Sequence, residues 1–124
     1  MTPDAFLANS KRMLEYAQNA PDFSSSRAII HAAYYAVYHL SAIRLGLDPT
    51  NYRTTSHFRV RQQVRSARGD VTLRKVAEVI EDLYRARARA DYDLGKRVRA
   101  ADAIEAIELA TQVFAAAGIV PIAI

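Results

Sequence analysis

Three observations predict an all-α fold, an up-and-down four-helix bundle with one short additional helix. Alanine and leucine are abundant in a chain that is 51% apolar. The prolines sit only at segment edges. Apolar residues recur every three or four positions and nowhere alternate with period two. At 124 residues the chain is long enough for one real core and too short for two, so residues 1–124 are read as a single domain.

Each element has a start and a stop. Thr2 as N-cap with Pro3 at the first helical position opens helix one, which runs to about Asn19 with Phe6, Leu7, Met13, Leu14 and Ala17 on its apolar side. Pro21 marks the break. Ser24, Ser25 and Ser26 offer N-caps for helix two, and Gly46 suits the C′ position at its end. The longest loop, GLDPTNYRTT, follows. A short helix spans about Ser56 to Arg68 and stops at Gly69, with Asp70 or Thr72 capping the next. That fourth helix spaces Leu73, Val76, Ile80, Leu83 and Arg87 at three or four residues and ends near Ala90. After the basic turn DYDLGKRVRA, helix five runs from about Ala101 to Ala117, burying Ile104, Ile107, Val113 and Phe114, and stops at Gly118. The apolar tail 118–124, GIVPIAI, is expected to lie against the bundle or a partner, since a free apolar tail is adhesive.

Composition removes several chemistries. There are no cysteines, which excludes disulfides, Cys-ligated zinc or iron–sulfur and thiol catalysis. Three histidines, His31, His39 and His57, would limit any metal site to His and carboxylate ligands. Neither a metal nor a cofactor is expected. No glycine-rich phosphate loop, His-Glu-x-x-His or serine nucleophile elbow occurs. Glu105 and Glu108 lack a Glu-x-x-His companion and read as surface residues. The N-terminus carries charges and no unbroken apolar run, and nothing approaches the ~18 apolar residues of a membrane span. A cytoplasmic chain without a membrane partner is the expectation.

Charge is unevenly placed. Residues 53–99 hold 13 of the 17 Lys and Arg but 6 of the 13 Asp and Glu, a local surplus of +7 against +4 for the whole chain. Clustered cations release counterions from a phosphate backbone, so the segment reads either as a polyanion-binding face or as a solvated basic face. Its candidate phosphate contacts are Arg59, Arg65, Arg85, Arg89, Lys96 and Arg97.

On a helical wheel the stretch SSSRAIIHAAYYAVYHL divides in two. Ile29, Ile30, Ala32, Ala33, Ala36, Val37, Leu40 and Ile43 form a broad apolar arc. Arg27, His31, Tyr34, Tyr35 and Tyr38 fall within about 100° on the other side, with His39 at the edge. Such a stripe fits a second buried face, a self-association surface, or a site where rings stack and cations pair. A dimer or inter-helix role is preferred over a catalytic array. Farther on, Glu81 precedes Arg85 by four residues and can pair with it. Asp91, at a helix end that favours cations, calls for a partner, and Arg27 or Arg87 is the candidate.

Three segments together, SRAIIHAAYYAVYH, TSHFRV and LYRARARADYD, resemble the HEPN superfamily of all-α domains. The likeness is to the small bacterial and archaeal branch with an Arg-x-x-Tyr-Tyr-Ala-x-Phe-His-like helix and an Arg-x-x-Ala-Asp-Tyr ending. It covers about residues 5 to 116, with one departure: Ala-Ile-Ile-His-Ala-Ala separates Arg27 from the paired tyrosines. The resemblance implies a homodimer of helical bundles and a frequent genetic partnership with a small nucleotidyltransferase, as in toxin–antitoxin pairs. Many HEPN proteins are metal-independent ribonucleases, marked by an arginine and, four to six residues on, a histidine near the end of the penultimate long helix.

Here that signature is incomplete. Counted from Arg85, the histidine position falls at Ala90, with Tyr92 two beyond, and Asp91 cannot supply an imidazole. The cations that would hold a scissile phosphate are present, but the usual base for a ribose 2′-hydroxyl is not. The expected function is therefore a homodimeric module binding nucleic acid, a nucleotide or a protein partner. The alternative is a ribonuclease toxin with a rearranged site of His57, Arg85, Arg89 and Tyr92.

Overall fold

A computed structural model describes residues 3–19, 23–47, 56–67, 69–92 and 98–119, with side chains for residues 5–13, 26–47, 56–67, 69–90 and 98–119. Thr2, Lys96, Arg97 and tail residues 120–124 lie outside the described residues, as do the side chains of Leu14, Ala17, Asp91 and Tyr92. Five helices occur among them: α1 (Pro3–Asn19), α2 (Phe23–Arg44), α3 (His57–Ser66), α4 (Val71–Tyr92) and α5 (Ala100–Ala116). The fold is all-α, four long helices with a short extra one.

The four long helices close a ring: α1 meets α2, α2 meets α4, α4 meets α5, and α5 returns to α1. The α2 helix also reaches α5 across the ring and α3 outside it, so it touches every other helix. That central place explains its composition. Ile29, Ile30, Ala33, Ala36 and Val37 on one side and Tyr34 and Tyr38 on the other are all buried. Each of the larger apolar side chains withdrawn from water there, such as Ile29, Ile30 and Val37, contributes roughly 1.5–3 kcal/mol before conformational entropy is counted. Buried hydroxyls along the bundle bond back to carbonyls one turn earlier, Ser41 to Val37 at 2.7 Å and Ser10 to Phe6 at 2.9 Å.

The helix ends follow local chemistry. Gly46 at φ 74° lets Leu47 N–H reach the Ala42 carbonyl and Gly46 N–H the Ile43 carbonyl, a Schellman closure of α2. Gly118 at φ 73° closes α5 in the same way. Ser56 caps α3 through Arg59 N–H at 3.1 Å, and Asp70 rather than Thr72 caps α4 through Leu73 N–H at 3.0 Å. The Thr72 hydroxyl is turned instead toward the Ala116 carbonyl of α5. At the start of α5, Asp102 accepts the Arg99 backbone N–H at 2.9 Å. Arg44, ending α2, sits 3.5 Å from Asp70, so a cation at a C-terminus meets an anion at an N-terminus.

Some sequence expectations shift. The α2 helix begins at Phe23, placing the three serines inside its first turn, and α4 runs two residues beyond Ala90. Ile43, assigned to the apolar arc, is 53% exposed because it sits in the last turn of α2, at the end of the bundle. Ile104 is half-buried, and the core side of α5 is carried by Ala103, Ala106, Ile107, Ala110, Val113 and Phe114.

Arg27 reaches the end of α4, where it bonds backbone; the expected pairing with the Asp91 side chain lies outside the described residues. Its Nη1 donates to the carbonyls of Arg89 at 3.1 Å and Ala90 at 2.7 Å. These belong to the four carbonyls that a helix C-terminus leaves without intrahelical partners, where positive charge is favoured. Replacing Arg27 by Gln should cost about 1–3 kcal/mol in urea denaturation, since a charge-assisted bond is lost. It should also speed hydrogen exchange of amides in the last turn of α4 more than in α1. Equal exchange in both helices would show that the guanidinium does not hold this end.

Candidate functional site

The short α3 lies across α2 and α4 and brings a histidine onto the tyrosine stripe. Val60 and Val64, one turn apart and fully buried, fix its inner face. His57, one turn before Val60 and Arg61, then falls over Tyr34, Tyr35 and Tyr38. The ring of Tyr38 stacks on the imidazole at 4.5 Å and that of Tyr34 at 5.4 Å, while Tyr35 stands perpendicular at 5.5 Å. Both ring nitrogens are engaged: Tyr34 Oη lies 2.7 Å from Nδ1 and Tyr35 Oη lies 3.3 Å from Nε2.

Arg87 closes the group from α4. It is 92% buried by its 8% exposure, and its Nη2 donates to Tyr35 Oη at 3.2 Å. A guanidinium can only donate, so Tyr35 is the acceptor in that bond. Arg61 lies 3.8 Å over the Tyr84 ring and makes a two-point bond to Glu81, Nε to Oε1 at 3.2 Å and Nη2 to Oε2 at 3.0 Å. Arg65 joins the same carboxylate at 2.6 Å. These bonds hold the Glu81 carboxyl below its ordinary range, with the Arg61 hydrogen bond the main cause. An outer row of rings, His31 stacked on Tyr35 at 4.5 Å and Phe6 against His39 at 4.8 Å, completes the cluster on the α1 side.

The His57 imidazole is held below its ordinary pKa: burial disfavours its charged form, and Arg87 and then Arg61 add repulsion. Burial also pushes the Tyr34 phenol well above its ordinary value, against the opposing pull of Arg87 and Arg61. Both groups are neutral near pH 7. The arrangement has aromatic walls, a neutral imidazole bonded at both nitrogens, and two arginines held by a phenol, a ring and a carboxylate.

Of the rearranged site of His57, Arg85, Arg89 and Tyr92, the two arginines lie apart from His57, and the Tyr92 side chain is outside the described residues. Arg85 and Arg89 border a cleft of about 280 Å³ between α4 and α5, with Ile30, Val98 and Glu105. Arg87, roughly 200° round the helix from Arg85, is the arginine that meets His57's tyrosines. The reason is the face of α4 that α3 covers, which carries Glu81, Tyr84 and Arg87 at three-residue steps. For the same reason Glu81 bonds Arg61 and Arg65 rather than the expected Arg85, which pairs with Asp82. Of the other sequence-derived residues, Tyr34 and Tyr38 are buried between helices, Tyr35 and His31 are half-buried, and Arg59, Arg65, Arg85 and Arg89 are exposed. Arg61 and Tyr84 escaped the sequence reading. Their signal was the Glu81–Tyr84–Arg87 spacing beside a helix with an arginine four residues after a histidine.

Among the described residues no three His, Asp or Glu side chains converge in a metal-binding group, and no helix is long and apolar enough to cross a membrane. No protein-family model, curated protein or solved structure matches the chain.

Two outcomes test the cluster. Tyr34→Phe keeps the ring but leaves Nδ1 without that hydroxyl, so unfolding free energy should fall by about 1–3 kcal/mol, and an unchanged value would remove the bond from the account of α3 docking. The second concerns pH. The unfolded chain accepts a proton on His57 near pH ~6.5, whereas the folded chain accepts it only at lower pH. The unfolded state therefore binds more protons in that interval, and stability rises with pH. Lowering pH from about 7 toward 5.5 should depress Tm, and His57→Gln should flatten that slope. The loss tied to Glu81 is separate: its folded value is depressed, so its contribution persists above about 4.5 and disappears in more acid solution.

Proposed function

We propose that this chain is a HEPN-like module that binds RNA through exposed cations on α3 and α4 and does not cleave it. The observation that carries the reading is the state of His57: each ring nitrogen faces a tyrosine hydroxyl, and the imidazole is a neutral, half-buried pin between α3 and α2. A ribonuclease of the expected kind needs a nitrogen free to take a 2′-hydroxyl proton. Arg59 and Arg65 on α3 and Arg85 and Arg89 on α4 are exposed, within a segment carrying a surplus of +7. Glu81 and Asp82 offset part of that charge at Arg65 and Arg85. Homodimerisation and a nucleotidyltransferase partner in a toxin–antitoxin pair belong to the same proposal and rest on the HEPN resemblance.

The test is binding and integrity of one RNA, measured together. A fluorescein-labelled unstructured RNA, held with the chain in EDTA, should bind and stay intact. Its affinity should fall about tenfold or more between ~50 and ~200 mM salt, as expected for about three phosphate contacts. Arg59→Glu and Arg89→Glu should each weaken binding and flatten the salt slope. Cleavage that disappears in both His57→Ala and Arg85→Ala would overturn the reading in favour of a ribonuclease. Absence of salt-dependent binding would overturn it in favour of a protein-partner role.

A further inference from the structure

We infer that the outer face of α3 is a stacking platform for an unpaired base, with Phe58 as the ring, so that the ligand is single-stranded RNA rather than duplex. The inference rests on the RNA-binding reading and goes beyond it in naming the strand state and the contacting residue. Phe58 is 69% exposed, while every other aromatic ring among the described side chains is buried or half-buried. A single exposed apolar residue is ordinary on a protein surface. Its neighbours make this one informative.

The α3 sequence, HFRVRQQVRS, holds three arginines and no carboxylate. At about 100° per residue, Gln62 and Arg65 lie within roughly 40° of Phe58, one and two turns farther along, and Arg59 flanks it about 100° away. Arg65 is 61% exposed although one Nη bonds Glu81, and its other N–H groups remain available in a direction set by that bond. Two arginines, Arg61 and Arg65, share the single Glu81 carboxylate, so this edge of α3 keeps a positive surplus. The other exposed large apolar residues among the described ones, Ile43 and Val71, are aliphatic and lie in the last turn of α2 and at the start of α4.

A ring in water beside guanidinium groups and an amide matches what a single strand presents: a base with a free face, a backbone of phosphates, and base edges for hydrogen bonds. A duplex does not offer it. Its bases are already stacked on one another, and a helix-mounted ring has no face to meet in an A-form groove. The charge of α3 selects a polyanion over an apolar partner, and the ring selects the unpaired form of that polyanion.

The experiment uses the full chain with two fluorescein-labelled probes, an unstructured RNA strand and an RNA duplex of the same length, read by anisotropy. The wild type should prefer the single strand. Phe58→Ala should lose about fivefold or more on the strand, keep its affinity for the duplex and keep the salt slope, because no phosphate contact is removed. Phe58→Trp should restore strand binding, with its fluorescence quenched by the RNA. Circular dichroism checks that each variant is folded, as expected at an exposed position. Equal strand binding by the wild type and Phe58→Ala would overturn the stacking role while leaving RNA binding through the arginines intact. Failure of the wild type to bind either probe would overturn both. A change in sedimentation of Phe58→Ala, with strand affinity unchanged, would assign the ring to contact between copies of the chain and overturn the inference.

Discussion

A phenol with no access to water must find its hydrogen bond inside the protein, and for Tyr34 that partner is His57, 2.7 Å away. Much of the molecule is arranged around this requirement. Tyr34 lies midway along α2, the helix that touches all others, so its hydroxyl cannot turn to solvent. The ten residues of α3 are too few to form a stable helix alone. They become one by burying Val60 and Val64 and by supplying the imidazole that the tyrosines need. A short helix and a buried polar row are each costly separately and satisfy each other when docked.

Electrostatics then decides what kind of histidine this is. Burial, Arg87 and Arg61 all oppose a proton on His57. The same two arginines are themselves held, Arg87 by the Tyr35 hydroxyl and Arg61 by the Tyr84 face and the Glu81 carboxylate. The cluster is therefore a packed joint among α2, α3 and α4, with its charged groups bonded inward. The outer side of α3, with Phe58, Arg59, Gln62 and Arg65, is exposed, and the proposed RNA contacts draw on it.

The sequence carried the elements and most of the core. Gly46 and Gly118 closed their helices as the spacing implied, Ser56 capped α3, and Leu73, Val76, Ile80, Leu83 and Arg87 formed the buried side of α4. These features are local, governed by turn chemistry and by the 3.6-residue repeat. The tyrosine–histidine stripe was legible as a stripe, but its partner was not. Nothing in the spacing of α2 says which distant histidine or arginine will cover it. Arg27 reaches the end of α4 that the sequence pointed to, where it bonds the carbonyls of Arg89 and Ala90; these backbone acceptors could not be read from side-chain types.

What the sequence alone determined was the class of the fold, the order and approximate extent of its helices, the basic surplus between residues 53 and 99, and the exclusion of cysteine chemistry. Each depends on composition or on neighbours within a few residues. The tertiary structure decided that Arg87 and not Arg85 meets the tyrosines around His57, that Glu81 serves α3 rather than its own helix, and that Tyr34 and Tyr38 are buried between helices. Those outcomes depend on the rotation of α4 beneath α3. That rotation is set by which side chains of α2 and α4 pack closest, a property of the assembled bundle and of no single segment.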